Sequence, residues 1–144
     1  MRVSFDFSKE SLGAFENKCE ALISKVGNGS RKALLEACNV ISEASLNQVP
    51  RDTETLAMSH FYEVTGHYKT GWTATIGYGG NGDPINPKSG KRASTYMTKV
   101  HDDLLANHPN GGKAKFLEDP VRDFANEKFP RTVYKYMQDA ISSL

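Results

Sequence analysis

The sequence has almost no charge imbalance. Eighteen Lys and Arg stand against seventeen Asp and Glu, a formal net charge of +1. That removes any global electrostatic argument for a nucleic-acid or membrane partner. Cysteine is scarce: Cys19 and Cys38 are the only two among 144 residues. Two thiols cannot build the cross-linked framework of a small secreted domain. A chain this long does not need one, since it buries roughly 68–70% of its unfolded surface on folding. Both cysteines fall on apolar faces of helical patterns, so we read them as small buried hydrophobes. Long apolar runs are missing too. No stretch approaches the ~20 residues of a membrane span, and no membrane partner is expected. "MRVSFDFSKESL" carries charges where the apolar centre of a leader would stand, so a reducing cytoplasm is the expected site of synthesis. Internal repeats and low-complexity tracts are absent.

What is present reads as one domain over residues 1–144, of class α+β. Ser8 can cap a helix. After it Leu12, Phe15, Cys19, Leu22, Ile23 and Val26 recur at spacings of three and four, an amphipathic pattern. "GNGS" (27–30) is expected to stop this helix and to start a second at Ser30. Leu34, Ala37, Cys38, Ile41 and Ala44 carry the second helix to about Gln48, and Pro50 ends it. "PRDTETL" reads as a turn leading into a short helical segment capped by Asp52 or Thr53. The period then changes to two. Tyr62, Val64, Gly66 and Tyr68 alternate with polar neighbours, as do Trp72, Ala74, Ile76 and Tyr78 after Lys69-Thr70-Gly71. This is a β-hairpin. Residues 77–94, "GYGGNGDPINPKSGKRAS", read as a long loop. Tyr96, Thr98 and Val100 alternate as a third strand, and "KAKFL" (113–117) is a short fourth. Asp119 then caps a C-terminal helix over about 119–142 with Pro120 in its first position. Pro130 should kink that helix or split it in two. The expected architecture is a four-stranded antiparallel sheet against two N-terminal helices and one C-terminal helix.

The chemistry-bearing residues cluster in "VHDDLLANHPNGGKAKFLEDPV" (100–121). A metal-dependent hydrolase built on His101, Asp102 and His108 is one reading. It requires three ligands to converge within about 2.0–2.3 Å of one ion. The histidines stand seven positions apart, with Pro109 directly after the second, which is not the one-turn spacing of a helical metal pair. The plainer reading makes His101 and Asp102 the end of a strand and His108 a surface residue. Asp102 and Asp103 are adjacent, so their side chains diverge. Glu118 and Asp119 suit the positive end of a helix without any catalytic purpose. No nucleophile elbow or phosphate-binding loop occurs. The expectation is a non-enzyme without cofactor or metal.

The one local charge asymmetry lies between Gly77 and Lys99. Lys88, Lys91, Arg92 and Lys99 oppose Asp83, a balance of +3 that leaves −2 for the rest. Lys88, Lys91 and Arg92 are candidates for contact with DNA or an acidic partner. A monomeric nucleic-acid module with so little charge would bind weakly. Copies arranged in a ring would multiply the charge around a channel, each neutralised phosphate adding affinity by counterion release.

Several stretches together carry a family resemblance: "QVPRDTETL", "FYEVTGHYKTGWTATIGYGG", "YMTKVHDD" and above all "HPNGGKAKFLEDPV". Over about Gln48–Ala125 the chain resembles the minor-capsid or tail-completion proteins of long-tailed bacteriophages, which are head–tail connector components of the neck. It departs from them in having Glu54 where glycine is common, Tyr96-Met97 where Tyr-Ala is common, and His101-Asp102 where His-Glu is common. The resemblance implies a structural virion protein at the head–tail junction, made in the host cytoplasm. It would assemble with itself as a ring of six or twelve copies. It would meet neighbouring neck and tail proteins, and packaged DNA through the channel. A tail terminator or a head-side adaptor is the alternative position. Two stretches are expected to form the subunit interface: Pro50, Arg51, Asp52 and Thr53, and then Pro84, Ile85, Asn86 and Pro87. His101, Asp102, Phe116, Leu117, Glu118 and Pro120 form the structural motif, with Phe116 and Leu117 packing the last strand on the core.

Overall fold

The computed structural model describes residues 8–143. Helix α1 (Lys9–Leu46) is followed by α2 (Thr55–Met58), strands β1 (Phe61–His67) and β2 (Gly71–Gly77), and helices α3 (Ala93–Asp102), α4 (Glu118–Glu127) and α5 (Phe129–Ser142). The class is α+β, with one two-stranded antiparallel sheet.

The two expected N-terminal helices are a single helix of 38 residues. Ser8 caps it as expected, its Oγ accepting from the Ser11 N–H at 3.1 Å. "GNGS" does not interrupt it, because the two glycines serve contact and not termination. A Cβ on Gly27 would lie 2.6 Å from the Tyr68 Cβ, and one on Gly29 would lie 2.9 Å from the Tyr136 carbonyl oxygen. The hairpin and α5 therefore approach α1 from different sides of a single turn, and only glycine leaves room. Ser30 does not cap a new start. Its Oγ donates to the Val26 carbonyl at 3.1 Å, within the same helix.

The hairpin forms as expected, with Phe61 opposite Gly77 and His67 opposite Gly71. Trp72 fixes it to α1 by donating its indole N–H to the Gly27 carbonyl at 2.8 Å. The third and fourth strands do not form. Residues 93–102 are helical because Ala93, Tyr96, Met97 and Val100 also make an i, i+3, i+4, i+7 face, and all four join the core cluster around Val49, Leu56, Tyr78 and Phe116. Asp83 anchors the start of this helix, accepting from the Ser94 N–H at 2.8 Å and from its hydroxyl at 2.6 Å. His101 and Asp102 thus close a helix and not a strand. "KAKFL" is a run of turns with Lys115 at φ 58°, and that left-handed residue breaks any extended pairing.

The C-terminal helix is two helices, separated at Lys128 (φ −111°). Pro130 occupies the second position of α5, where its missing N–H has no partner to lose. The expected cap at Asp119 is not observed. α4 begins at Glu118 after Leu117, which offers no side-chain cap, so Pro120 is its third residue. α5 runs antiparallel to α1. Gly29 lies on Tyr136 and Ala140, Glu36 accepts from the Tyr136 hydroxyl at 2.5 Å, and Lys25 reaches the Ser143 carbonyl.

Two apolar clusters hold the body. One centres on Phe116, at 1% exposure; the other joins Ala37 and Ile41 of α1 to Phe124 of α4, and Leu117 touches both. Ser45 and Ser59 are paired at the centre, whereas the buried Ser42 Oγ and His60 Nε2 have no hydrogen-bond partner among the described residues. Ser45 Oγ lies 2.7 Å from the Tyr78 hydroxyl, and Ser59 Oγ donates to the Leu56 carbonyl and accepts from the Gly79 N–H. Cys38 is buried and Cys19 half-buried, and neither forms a disulfide. Among the described residues no helix is long and apolar enough to cross a membrane.

Candidate functional site

The two stretches expected at an interface meet. Pro50, Arg51, Asp52 and Thr53 form one wall of a cleft of about 360 Å³, Asn86 borders it, and Asn107–Gly111 form another wall. Local physics fixes the first wall. Val49 is buried at 1% exposure and anchors the chain directly before the turn. Gly112, at φ 94°, passes so close to the turn that a Cβ there would lie 2.5 Å from the Pro50 Cα. The Lys113 N–H donates to the Gln48 carbonyl at 2.9 Å. Glu54 closes the turn in the left-handed conformation, φ 57°, and Arg51 bridges the Glu54 carboxylate at 2.6 Å and the Leu46 carbonyl at 2.9 Å.

The long loop has an internal scaffold. Ile85 and Arg92 form an antiparallel bridge, the Asn86 N–H donates to the Lys91 carbonyl at 2.8 Å, and the Gly90 N–H donates to the Asn86 carbonyl at 2.8 Å. The Asn86 side chain accepts from the Lys88 and Ser89 N–H groups, so the tip Pro87-Lys88-Ser89 is a side-chain-closed turn. Pro84 belongs to the same scaffold, its carbonyl accepting from the Ala93 N–H at 3.0 Å. Ile85 is 56% exposed, an apolar side chain presented on the loop.

The basic residues do not act alike. Lys88 pairs with Asp52 at 2.5 Å and so tethers the loop tip to the turn across the cleft. Arg92 folds back toward the Asp83 carbonyl at 3.4 Å. Lys91 is exposed, with no ion-pair partner among the described residues. Hydrogen bonds from Ser94 hold the Asp83 carboxyl below the usual carboxylate range. Asn110 also approaches Asp52, at 3.4 Å.

His101, Asp102, Phe116, Leu117 and Glu118 form a clasp between the end of α3 and the start of α4. The His101 Nδ1 lies 2.8 Å from the Asp102 carboxylate, and its Nε2 accepts from the Glu118 N–H at 3.3 Å. The imidazole stands edge-on to Phe116, centroids 5.0 Å apart. Lys115 bridges Asp102 at 3.0 Å and Glu118 at 2.8 Å, and its own N–H donates to the His101 carbonyl at 2.7 Å. Hydrogen bonds from His101 and then Lys115 lower the Asp102 pKa; bonds to Glu118 and then Asp102 raise that of Lys115. Pro120 is buried beneath this start of α4.

The arrangement does not gather His101, Asp102 and His108 around one point. His101 lines an apolar cleft of about 350 Å³ with Phe61, Ile76, Met97 and Leu117, whereas His108 lines the other cleft. Among the described residues no group of three His, Cys, Asp or Glu side chains is placed to hold a metal ion. His108 Nε2 is screened from solvent with no hydrogen-bond partner among the described residues. The sequence reading took His108 as a surface residue and missed that it walls the cleft with Asn107 and Asn110. Their only sequence signal is the density of polar turn residues beside the Gly-Gly pair.

No protein family, curated protein or solved structure matches this chain.

Proposed function

We propose that the protein is a structural, non-enzymatic connector subunit of a tailed-bacteriophage neck, acting by assembly into a ring between the capsid portal complex and the tail. One observation carries the reading. The turn Pro50–Thr53 and the loop around Asn86 and Lys88, far apart in sequence and each expected at a subunit interface, border one cleft and are tied by the Lys88–Asp52 pair. A surface built by joining two loops on a fixed scaffold suits docking against another protein. The stretch that carries the resemblance most strongly also forms the His101–Lys115–Glu118 clasp, which rests on Phe116 in the core. Glu54, where the resembling family commonly has glycine, adopts the left-handed conformation that glycine favours.

In this reading the ring has six or twelve copies, and Lys91 and Arg92 face either the DNA passage or an acidic surface of the next ring. Tail completion is the favoured position, with tail terminator or head-side adaptor as the neighbouring alternatives. Charge reversal of Lys88, Lys91 and Arg92 together tests the loop. The expected result is fewer DNA-filled, tailed particles on complementation, with the isolated subunit still folded by circular dichroism. Unchanged particle yield removes the loop from the interface. Native mass and electron-microscopic symmetry of the purified protein, alone and with its neighbouring virion proteins, test the ring itself.

A further inference from the structure

The first half of α1 is an arm. From Lys9 to Ile23 nearly every residue is exposed, and α5, the helix that covers α1 further along, ends at Ser142 beside Lys25. At 1.5 Å per residue the arm reaches about 20 Å past the body. The hairpin turn reaches its base, Glu20 pairing with Lys69 at 2.6 Å and accepting from the Tyr68 hydroxyl at 3.4 Å. Leu12 is 47% exposed, Phe15 66%, Leu22 38% and Ile23 48%. A helix of this length without a packed face is marginal in water.

The exposed stripe is not an isolated patch. Leu12, Phe15, Cys19, Leu22, Val26, Gly29 and Ala33 alternate spacings of three and four without a break, the seam of a helix that packs along another helix. From Gly29 onward the seam is covered by α5, with Tyr136 and Ala140 seated on Gly29. Toward the N-terminus no helix covers the same seam among the described residues: Val26 and Cys19 are half-buried, and Leu22, Phe15 and Leu12 are exposed. The established α1–α5 interface is therefore half-length on α1, and its continuation calls for a second helix of similar character. α5 itself carries one on its outer side. Tyr134, Met137 and Ile141 repeat the three-then-four spacing, and Tyr134 is 67% and Ile141 54% exposed. Charge does not oppose contact between copies. Lys9 and Lys18 against Glu10, Glu16 and Glu20 leave the arm at only −1, and the whole chain is at +1.

We propose that the arm of one copy docks its Leu12–Phe15–Cys19–Leu22 seam on the Tyr134–Met137–Ile141 seam of a second copy. The contact joins unlike surfaces, so it propagates head to tail and closes a ring when the rotation per subunit closes. It rests on the connector reading only for that closure; the docking itself stands on the two seams.

The test uses the full-length chain and measures mass in solution by light scattering. Wild type is expected at multiples of the monomer mass. Phe15→Glu, on the arm, and Tyr134→Glu, on α5, should each fall to one-subunit mass while the body still melts cooperatively, since both side chains are exposed; any loss of helicity should not exceed that of the undocked arm. Mixing the two variants leaves one intact arm and one intact face. The mixture should therefore give a two-subunit species and nothing larger. Ile141→Glu replaces Tyr134→Glu if the latter melts early. The inference is overturned if wild type stays monomeric, if Tyr134→Glu and Ile141→Glu both keep the wild-type mass, or if the mixture stays monomeric. Rings that form with a mass unaffected by either class of variant reject the docking and keep the connector reading. Docked chains that never close do the reverse.

Discussion

At the scale of single residues, Glu54 is where sequence and backbone disagree. It sits left-handed at φ 57° between the interface turn and α2, and a side chain there costs about 1–2 kcal/mol. Its compensation is the exposed 2.6 Å pair with Arg51, a kind of contact that contributes little. Glu54→Gly releases the strain and loosens the unfolded chain by about 0.4–1 kcal/mol. The expected net effect is a small gain in stability, seen as a higher urea midpoint; a clear loss would mean that the Arg51 bridge outweighs the backbone. Nothing in the local sequence marks Glu54 as left-handed; only the backbone shows that this position favours glycine. Asp83 makes the same point. Its role as the anchor of α3 depends on Ser94, eleven positions later, and no local pattern announces it.

Among the elements, legibility followed uniqueness of period. The hairpin was readable because Tyr62–Tyr68 and Trp72–Tyr78 alternate and fit no helical face. The break at Lys128 was readable because Pro130 allows few alternatives. α3 was misread because Tyr96, Thr98 and Val100 satisfy a period of two while Ala93, Tyr96, Met97 and Val100 satisfy 3.6, and burial against Val49 and Phe116 decided between them. The continuity of α1 was hidden by glycines that look like a stop and serve as clearance. Gly29→Ala isolates that point. Helix propensity favours alanine by about 1 kcal/mol. Yet its Cβ would meet the Tyr136 carbonyl oxygen at 2.9 Å and Ala140 at 3.2 Å, and overpacking of this kind costs about 1–3 kcal/mol. Thermal melting should show a net loss. A gain would mean that α5 yields easily and that α1 and α5 are loosely joined. The cleft was legible only in its parts, since nothing local brings Asp52 to Lys88, thirty-six positions on.

For the whole molecule, pH reports how the body is sealed. Burial holds His60 below the usual imidazole range, with its Nε2 unpartnered among the described residues and its ring edge-on to Tyr78 at 5.1 Å. The unfolded chain therefore takes up this proton at higher pH than the folded one. Stability falls as pH drops below about 6.5 and levels off under the folded value. Urea midpoints measured from pH 8 to pH 5 should decline for wild type and decline less for His60→Gln; equal slopes would place the titration elsewhere. Asp83, Asp102 and Asp119 shift the other way, each lowered from 3.8 by its hydrogen-bonding partners. Their contribution holds above that value and fades only in stronger acid. The unbroken run of α1 through residues 27–30 has a mechanical consequence. Because no hinge separates the projecting segment from the part embedded in the body, a pull at its tip, once docking has ordered the segment, travels down one continuous helix. The load enters the body at the two glycines, where the hairpin and α5 bear on different sides of one turn, so tension there tilts both together.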